Sequence, residues 1–255
     1  MTIKSYAKVN IFLKIVGLRG SYHEINSRFM IVPNLYDLLE FKPKDCDDFT
    51  LEGDFSCPTT SNIIYKVYRL LKEEYPKVEI FFKTHKVVVE KNIPEFAGLG
   101  GGSSNGAAFL NLTNKVLNLN ISHDKLADIG SQVGSDIPFF IYGYKSANVS
   151  GVGEIVKEFE EELVDIETFT PSNIKPSTKD VYARYRDSFL DNMDKELSSK
   201  LLKQTSHDIL NKYQPNTLND LLAPCLKLYP DLNSYIKEGS FLSGSGSTVF
   251  RRRDG

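Results

Sequence analysis

Hydrophobic and polar positions alternate from residue 8 to residue 16, which read Lys-Val-Asn-Ile-Phe-Leu-Lys-Ile-Val. Because successive side chains of a strand point to opposite faces, this alternation predicts a β-strand. The residues expected on its buried face are Val9, Ile11, Leu13 and Ile15. The residues expected on the other face are Lys8, Asn10, Phe12 and Lys14. A lysine and an amide therefore project from one face of the strand, one pleat apart.

Apolar residues recur at helical spacing in several later segments. The pattern predicts helices over residues 61–74, 104–117, 124–133, 180–190, 195–202 and 218–228. Ser122 is placed to cap the beginning of the third helix, and Gly134 is placed to stop its end. Short runs rich in β-branched and aromatic residues predict strands over 37–42, 48–52, 78–82, 86–91, 139–142, 147–149 and 248–250.

The character of the chain changes near residue 155. Residues 157–162 are strongly acidic, residues 170–180 are rich in Pro, Ser and Thr, and predicted helices dominate the remainder of the chain. A length of 255 residues suits one large domain or two small ones. We therefore predict an α/β (α+β) protein with a domain boundary at this point, giving domains 1–155 and 156–255.

Charge argues against one class of partner. Lys and Arg total 31 and Asp and Glu total 33, so the formal net charge is −2. A protein that holds nucleic acid through a broad basic field needs an excess of positive charge. The one dense basic run is Arg251–Arg253, and we interpret it as a solvated end of the chain.

Neither a membrane segment nor a cysteine framework is indicated. No stretch approaches the ~20 consecutive apolar residues that a membrane helix needs. The apolar run near the start is interrupted by Asn10 and Lys14, unlike that of a signal peptide. The cysteines Cys46, Cys57 and Cys225 are widely spaced and form no C-x-x-C pair, which is typical of reduced thiols. We therefore expect a cytoplasmic protein.

The segment from Pro94 to Gly106 reads Pro-Glu-Phe-Ala-Gly-Leu-Gly-Gly-Gly-Ser-Ser-Asn-Gly and lies between a predicted strand and a predicted helix. Glycines let backbone N–H groups approach a ligand closely, and a helix N-terminus favours negative charge. Ser103 and Ser104 add hydroxyls suited to a phosphate oxygen or a magnesium ion. The segment therefore predicts a phosphate site, with a flexible surface loop as the alternative.

Two familiar phosphate motifs do not fit this loop. The P-loop pattern G-x-x-x-x-G-K-[ST] requires a lysine, and none follows these glycines. The dinucleotide pattern G-x-G-x-x-[GA], started at Gly98, places Ser103 where its third small residue belongs.

Three further segments carry weaker signals. Tyr22-His23-Glu24 follows a turn, Gly134-Ser-Asp136-Ile-Pro138 connects a helix to an apolar run, and Gly244-Ser-Gly246 lies near the end. Proline restricts the residue before it, so we expect Ile137 to be extended and Asp136 to project from a constrained turn. Each segment alone is also typical of a surface turn.

Their combination is more specific, and it resembles the GHMP kinase superfamily, which includes galactokinase, homoserine kinase and mevalonate kinase. The segments that carry the resemblance are Ala7–Leu13, Gly20–Glu24, Pro94–Ser104, Gly134–Phe139, Gly151–Glu154, Asn219–Leu221 and Ser243–Gly246. The resemblance implies a two-domain GHMP kinase fold. Its N-terminal, ATP-binding domain would be ribosomal-S5-like, and its C-terminal domain on the substrate side would be ferredoxin-like.

Within the superfamily, the Ala-Lys-x-Asn and Tyr-His elements resemble one branch most. That branch phosphorylates the 2-hydroxyl of a cytidine-diphosphate-linked methylerythritol in non-mevalonate isoprenoid biosynthesis. The resemblance implies ATP as co-substrate, Mg²⁺ as cofactor and a small-molecule substrate, with no nucleic acid, membrane or obligate protein partner. Another GHMP kinase activity is the first alternative. A nucleic-acid-binding module is the second, because S5-like folds occur in RNA-binding proteins, but the net charge weakens it.

The resemblance also implies roles for individual residues. Lys8 and Asp136 match the catalytic pair: Asp136 would accept or orient the hydroxyl proton, and Lys8 would stabilise the carboxylate and the charge of the transition state. Ser104 is the candidate magnesium ligand. The implied ATP-binding residues are Pro94, Glu95, Phe96, Ala97, Gly98, Leu99, Gly100, Gly101, Gly102, Ser103 and Ser104.

The implied substrate-binding residues are Asn10, Tyr22, His23, Thr178 and Tyr182. Tyr22 and Tyr182 would stack on the cytosine, and His23 would recognise it through hydrogen bonds. Several positions depart from the family pattern, Ser21 among them. Phe96 stands where relatives have a small or flexible residue, and Ser135 stands where alanine is common.

Overall fold

The computed structural model describes residues 1–45 and 47–253. Within these residues the strands are β1 (Thr2–Arg19), β2 (Tyr22–Pro43), β3 (Leu51–Glu52), β4 (His85–Glu90), β5 (Ser146–Gly151), β6 (Ile155–Glu158), β7 (Ile166–Phe169), β8 (Phe241–Leu242) and β9 (Val249–Arg252). The helices are α1 (Ile63–Glu74), α2 (Pro76–Thr84), α3 (Gly101–Val116), α4 (His123–Ser131), α5 (Ile137–Tyr142), α6 (Thr178–Ser188), α7 (Lys195–Leu201), α8 (Ser206–Lys212), α9 (Pro215–Leu218) and α10 (Leu222–Leu228). Short 3₁₀ turns cover Thr59–Ser61, Leu190–Asn192 and Pro230–Tyr235.

Most predicted helices and strands are confirmed. Five of the predicted helices correspond to α1, α3, α4, α6 and α7, and the predicted and observed ends differ by a few residues. Ser122 caps α4 as expected, because its side chain accepts a hydrogen bond from the Lys125 N–H. The helix predicted over 218–228 is confirmed only from Leu222 onward, as α10, whereas Leu218 is the last residue of the separate helix α9. The strand predicted over 48–52 is reduced to β3, and the one over 37–42 is part of the much longer β2.

The strand predicted over residues 78–82 is wrong, because this segment lies in α2. Pro76 occupies the first turn of that helix, where its missing N–H costs nothing and its fixed φ suits the helix. Val78 and Phe82, four residues apart, are buried, whereas Ile80 is 66% exposed. A helical period is therefore present, but the run of β-branched and aromatic residues hides it.

The strand predicted over residues 139–142 is also wrong, because these residues lie in α5. Gly143 ends this helix with a φ of +71°. Short apolar runs do not distinguish a buried helix from a buried strand by periodicity alone. Ile137 is the first residue of the helix and is not extended, so the bias that Pro138 imposes on it is overridden.

The described residues form two compact units, each assembled from separate parts of the chain. The first unit comprises Met1–Ala7, Pro33–Glu95 and Gly100–Gly143. The second unit comprises Lys8–Val32, Phe96–Leu99 and the described residues from Tyr144 onward. Residues 8–32 therefore belong to the same unit as most of the C-terminal half. The predicted domain boundary near residue 155 stays a prediction.

The first unit contains the order β3-β4-β2. Its part of β2 pairs with β4 in an antiparallel register from Leu38 opposite Glu90 to Pro43 opposite His85. β3 lies parallel to β4. The five helices α1 to α5 belong to this unit, and their apolar faces enclose a core that includes Leu39, Phe82 and Phe109.

The second unit contains the order β2-β5-β6 and a separate antiparallel sheet in the order β7-β9-β8. Its part of β2 pairs with β5 from Ile25 opposite Gly151 to Met30 opposite Ser146. Helices α6 to α10 belong to this unit. Its core includes Ile15, Val181 and Cys225, and burial raises the pKa of the Cys225 thiol to about 12.

Cys57 and Cys225 are free thiols, as expected for reduced cysteines, and Cys46 lies outside the described residues. Across residues 1–45 and 47–253, no helix combines the length and apolar character needed to cross a membrane.

Candidate active site

Lys8 and Asn10 project from the same face of β1, as the alternation predicts, but this face is buried. Lys8 is 4% exposed and Asn10 is 3% exposed. The Lys8 Nζ donates to Asn10 Oδ1 at 2.7 Å and lies 4.4 Å from the centre of the Phe29 ring. The Asn10 amide in turn donates to Ser27 Oγ at 2.9 Å. Burying a charge is costly unless it is paired and hydrogen-bonded, and these contacts hold the buried ammonium group in place.

The glycine-rich loop contacts Lys8 directly. The Lys8 N–H donates to the Leu99 carbonyl at 2.9 Å, and the Lys8 Nζ donates to the Gly98 carbonyl at 3.2 Å. The Gly98 carbonyl also accepts a hydrogen bond of 2.9 Å from Ser243 Oγ. The sequence indicated all these segments separately, and the structure brings them together in the second unit.

His23 lies in an aromatic cluster elsewhere in the second unit. Its ring centre is 5.0 Å from that of Tyr182 and 6.0 Å from that of Tyr185. His23 is 8% exposed, and no described residue offers its Nε2 a hydrogen-bond partner. Burial, together with the positive charge of Arg186, lowers the pKa of His23. A neutral imidazole with an open ring nitrogen can accept or donate one hydrogen bond to a ligand.

Two further substrate-binding candidates lie in the second unit. Tyr22 is 66% exposed, so its ring is available for stacking. Thr178 begins α6, and its hydroxyl shares a 2.8 Å hydrogen bond with that of Ser245, in the second glycine-rich turn. The sequence pointed to Tyr22, Tyr182 and His23, but it did not point to Tyr185. Burial raises the pKa of the Tyr185 hydroxyl, which also has no partner among the described residues.

The second half of the glycine-rich loop opens α3 in the first unit. Gly100 is the N-cap residue, with a φ of +68°, and it has no side chain that could accept hydrogen bonds from the first turn. Ser103 lies half-buried in that turn. First-turn N–H groups without a capping side chain, at the positive end of a 16-residue helix, form an anion-binding arrangement.

Ser104 is held inside a buried polar network of the first unit. Its Oγ accepts a hydrogen bond of 2.8 Å from Ser5 Oγ, and Ser5 accepts one of 2.9 Å from the Asn105 amide. Asn105 also donates to the carboxylate of Asp37, which forms an ion pair with Lys91 at 2.5 Å. The network connects the first turns of α3 to Ser5 of β1 and Asp37 of β2, and sequence reasoning did not find it.

These surroundings bear on the predicted magnesium ion. Mg²⁺ is usually held through one or two carboxylates together with substrate phosphates. Ser104 is 2% exposed and its oxygen is engaged by Ser5. Within the part of the chain that the structure describes, no three His, Cys, Asp or Glu side chains are grouped to hold a metal. The Ser104 hydroxyl is therefore not open to a metal ion in this arrangement. Its role as a magnesium ligand stays a prediction.

Asp136 is the N-cap residue of α5 and adopts αR backbone angles in the first unit. The next residue, Ile137, is fully buried in a socket made by glycines. A Cβ on Gly130 would come within 2.4 Å of Ile137 Cγ2, and a Cβ on Gly106 within 3.4 Å of its Cδ1. The close packing of Ile137 against Gly130 restrains the backbone next to Asp136.

Most of the predicted residues thus fall into four local groups. Two groups lie in the second unit: Lys8 and Asn10 with Ala97–Leu99, and Tyr22 and His23 with Tyr182. The other two lie in the first unit: Gly100–Ser104 and Asp136. The prediction that Lys8 and Asp136 act as a pair is not tested by these groups and stays a prediction.

Comparison with known proteins defines the class. Residues 62–144 match the family model described as "GHMP kinases N terminal domain". A solved 4-(cytidine 5'-diphospho)-2C-methyl-D-erythritol kinase is similar to the chain with a TM-score of 0.79 and 27% identity, covering 100% of this chain and 91% of that one. The mevalonate kinase of Methanococcus jannaschii shares the fold, with a TM-score of 0.62 and 16% identity over 100% of this chain and 90% of its own. The predicted resemblance and the mixed α/β fold of a GHMP kinase are confirmed.

Curated relatives narrow the class to a family. The chain is 52% identical to a 4-diphosphocytidyl-2-C-methyl-D-erythritol kinase of Sulfurimonas denitrificans, over 98% of this chain and 96% of the relative. It is 41% identical to one of Campylobacter jejuni, over 98% and 99%. The chain therefore belongs to the family of GHMP kinases that carry this name, and it is a kinase.

Proposed function

We propose that the chain transfers the γ-phosphoryl group of ATP to the 2-hydroxyl of 4-diphosphocytidyl-2-C-methyl-D-erythritol. The products are ADP and the 2-phosphate, a step of non-mevalonate isoprenoid precursor biosynthesis. The observation that carries the proposal is the 52% identity to a relative of that name over 98% of the chain. Similarity of this extent over nearly the whole length covers both units, and not one motif alone.

In this reaction Asp136 accepts or orients the proton of the attacking hydroxyl, and Lys8 stabilises the charge that develops on the transferred group. Phosphoryl transfer passes through a loose transition state, so catalysis depends mostly on positioning and electrostatics. The fixed position of the Lys8 ammonium against Asn10 and Gly98 supports its role. A charge that is already oriented needs little reorganisation as the reaction proceeds.

ATP is bound by the glycine-rich loop from Pro94 to Ser104. The uncapped first turn of α3 supports this assignment, because its N–H groups and helix dipole favour phosphate oxygens. A bound Mg²⁺ would neutralise phosphate charge on ATP. The protein's contribution at this loop is to bind and orient the triphosphate.

The cytosine of the second substrate is bound by Tyr22, His23 and Tyr182. The buried, unpartnered Nε2 of His23 supports this assignment, since a polar atom in that state gains most from a ligand's hydrogen bond. Tyr182 packs beside it and Tyr22 is exposed, so two aromatic faces are offered to a base. Asn10 and Thr178 contact the rest of the substrate. Cytoplasmic location and the absence of nucleic-acid, membrane and obligate protein partners remain predictions.

The test is an assay of ADP release with purified protein and three acceptors. We expect turnover with 4-diphosphocytidyl-2-C-methyl-D-erythritol and only background rates with homoserine and mevalonate, which lack a base for the aromatic cluster. Product phosphorylation is confirmed by ³¹P NMR. Equal or faster turnover with homoserine or mevalonate would contradict the proposal and favour another GHMP kinase activity.

A further inference from the structure

Asn219 and Asp220 lie against β1 of the second unit, although no part of the proposed reaction uses them. Asn219 forms an isolated parallel β-bridge with Leu13, and the Asp220 N–H donates to the Leu13 carbonyl at 3.0 Å. The Asp220 carboxylate accepts a hydrogen bond of 2.7 Å from the Ile15 N–H and forms an ion pair with Lys14. The Lys14 and Asp220 side chains are only 5% and 8% exposed. This pair therefore anchors residues 219 and 220 to the strand that carries Lys8 and Asn10.

The Asn219 side chain holds the second glycine-rich turn. Its Nδ2 donates to the carbonyls of Leu242 and Gly244, both at 2.9 Å, and its Oδ1 accepts from the Leu221 N–H at 2.9 Å. Asn219 is 4% exposed, so these bonds are shielded from water. The two carbonyls flank Ser243 in the chain. Asn219 therefore fixes the backbone on both sides of that serine.

Ser243 passes this constraint to the site. Its Oγ donates to the Gly98 carbonyl at 2.9 Å and lies 3.4 Å from the Asn10 N–H, which donates to it. The Gly98 carbonyl is also the acceptor for the Lys8 Nζ at 3.2 Å. The contacts form a continuous path from Asn219 through Ser243 and Gly98 to the ammonium group.

We infer that Asn219 is a positioning residue for the Lys8 ammonium, acting through Ser243 and Gly98, with Asp220 as its anchor. The inference rests on the proposed function, in which Lys8 stabilises the transferred phosphoryl group. Asn219 contacts neither Lys8 nor any residue proposed to bind a substrate base. Because the path ends on the Lys8 ammonium group, its main effect is expected in the rate of the chemical step.

The first experiment compares Asn219→Ala with the parent protein and with Asn148→Ala. Asn148 is a matched control in the same unit: its amide also donates to a backbone carbonyl, that of Leu202 at 3.0 Å, and its Oδ1 accepts from Arg28. We expect both variants to melt a few degrees lower. We expect Asn219→Ala alone to lower kcat, on the order of 10–100-fold, with both KM values within about twofold of the parent.

A double-mutant cycle tests the path. If Asn219 acts through Ser243, then Ser243→Ala lowers kcat by itself, and adding Asn219→Ala lowers it little further. Multiplicative losses in the double variant, or parental kcat in folded Asn219→Ala, would overturn the inference. If Asn219→Ala does not fold, Asn219→Asp takes its place in the cycle. Aspartate keeps the acceptor for Leu221 but cannot donate to the two carbonyls.

A readout without turnover separates this inference from the proposed function. In protein labelled with ¹⁵N at lysine Nζ, the Lys8 signal is assigned by its loss in Lys8→Arg. We expect Asn219→Ala to shift that signal and Asn148→Ala to leave it in place. An unshifted signal would overturn the inference even if the parent phosphorylates its substrate. A parent without turnover but with the shift would overturn the proposed function alone.

Discussion

The backbone of Gly98 packs directly on that of Ser243, 145 residues away in the chain. A Cβ added at Gly98 would come within 2.1 Å of the Ser243 carbonyl oxygen, and the φ of Gly98 is +76°. The close approach excludes a side chain at position 98, and the left-handed torsion disfavours one. The first glycine-rich loop and the second glycine-rich turn therefore meet as backbones without intervening side chains.

Gly98→Ala should consequently damage both stability and activity. Left-handed torsion alone costs a residue with a side chain about 1–2 kcal/mol, and the clash with backbone adds to it. We expect kcat/KM for ATP to fall by about 100-fold, because a misplacement of about 1 Å has that effect. Gly20→Ala is the control, since Gly20 has a φ of +60° but no atom within 4 Å of its added Cβ. If both variants lost activity equally, torsion alone would explain the loss.

Asp136→Asn should abolish phosphoryl transfer while ATP still binds. The substitution keeps the shape of the side chain and removes the charge that would accept or orient the hydroxyl proton. Loss of such a group costs on the order of 10²–10³ in rate. ADP release measures the rate, and calorimetric titration with ATP measures the affinity. Asp128→Asn, at an exposed position of α4 in the same unit, should retain parental turnover. Near-parental turnover of Asp136→Asn would remove this residue from the mechanism.

The sequence predicted the residue types of the site better than their surroundings. The pairing of Lys8 with Asn10 follows directly from the two-residue period of a strand. The contact of Ser243 with Gly98 could not be predicted, because it depends on two distant turns meeting in three dimensions. The burial of the Lys8 face was missed for a similar reason, since periodicity cannot tell which other segments cover a polar face. The true conformation of Ile137 was hidden because a glycine socket outweighs a local proline preference.

Tyr182→Ala should weaken the cytidine substrate far more than ATP. Stacking on an aromatic ring contributes about 1–3 kcal/mol per base in nucleic-acid-binding proteins, so we expect KM for the cytidine substrate to rise about tenfold or more. The KM for ATP should change little. Tyr235→Ala is a suitable control, because Tyr235 stacks on Phe169 at 5.4 Å, in the same unit. Equal changes in both KM values for Tyr182→Ala would argue against a stacking role.

The low pKa of His23 predicts a pH dependence of stability. Burial and Arg186 lower this pKa in the folded state, and the packed faces beside the ring come from Tyr182 and Tyr185. Between the folded and unfolded pKa values the unfolded state binds more protons, so stability rises with pH there. The contribution is present above the ordinary value of 6.5 and is lost as pH falls below it.

Urea unfolding of the parent and of His23→Gln, from pH 7.5 down to pH 5, measures this contribution. The parent's free energy of unfolding should decrease more steeply below about pH 6.5 than that of the variant. The variant removes only this titration, so other histidines contribute equally to both curves. Parallel curves would mean that His23 is not held in its neutral form.

Phe96 combines a φ of +55° with a side chain that is 60% exposed. Left-handed torsion costs a residue with a Cβ about 1–2 kcal/mol, and glycine escapes that cost. Compared with alanine, however, glycine gives the unfolded chain more conformational freedom, which lowers the stability of the folded state by about 0.4–1 kcal/mol. We therefore expect Phe96→Gly to be more stable than Phe96→Ala by about 0.5–1 kcal/mol in urea unfolding. At Phe169, which is 52% exposed in β7, the order should reverse, because glycine weakens a strand. The same order at both positions would mean that the loop does not hold residue 96 in the left-handed conformation.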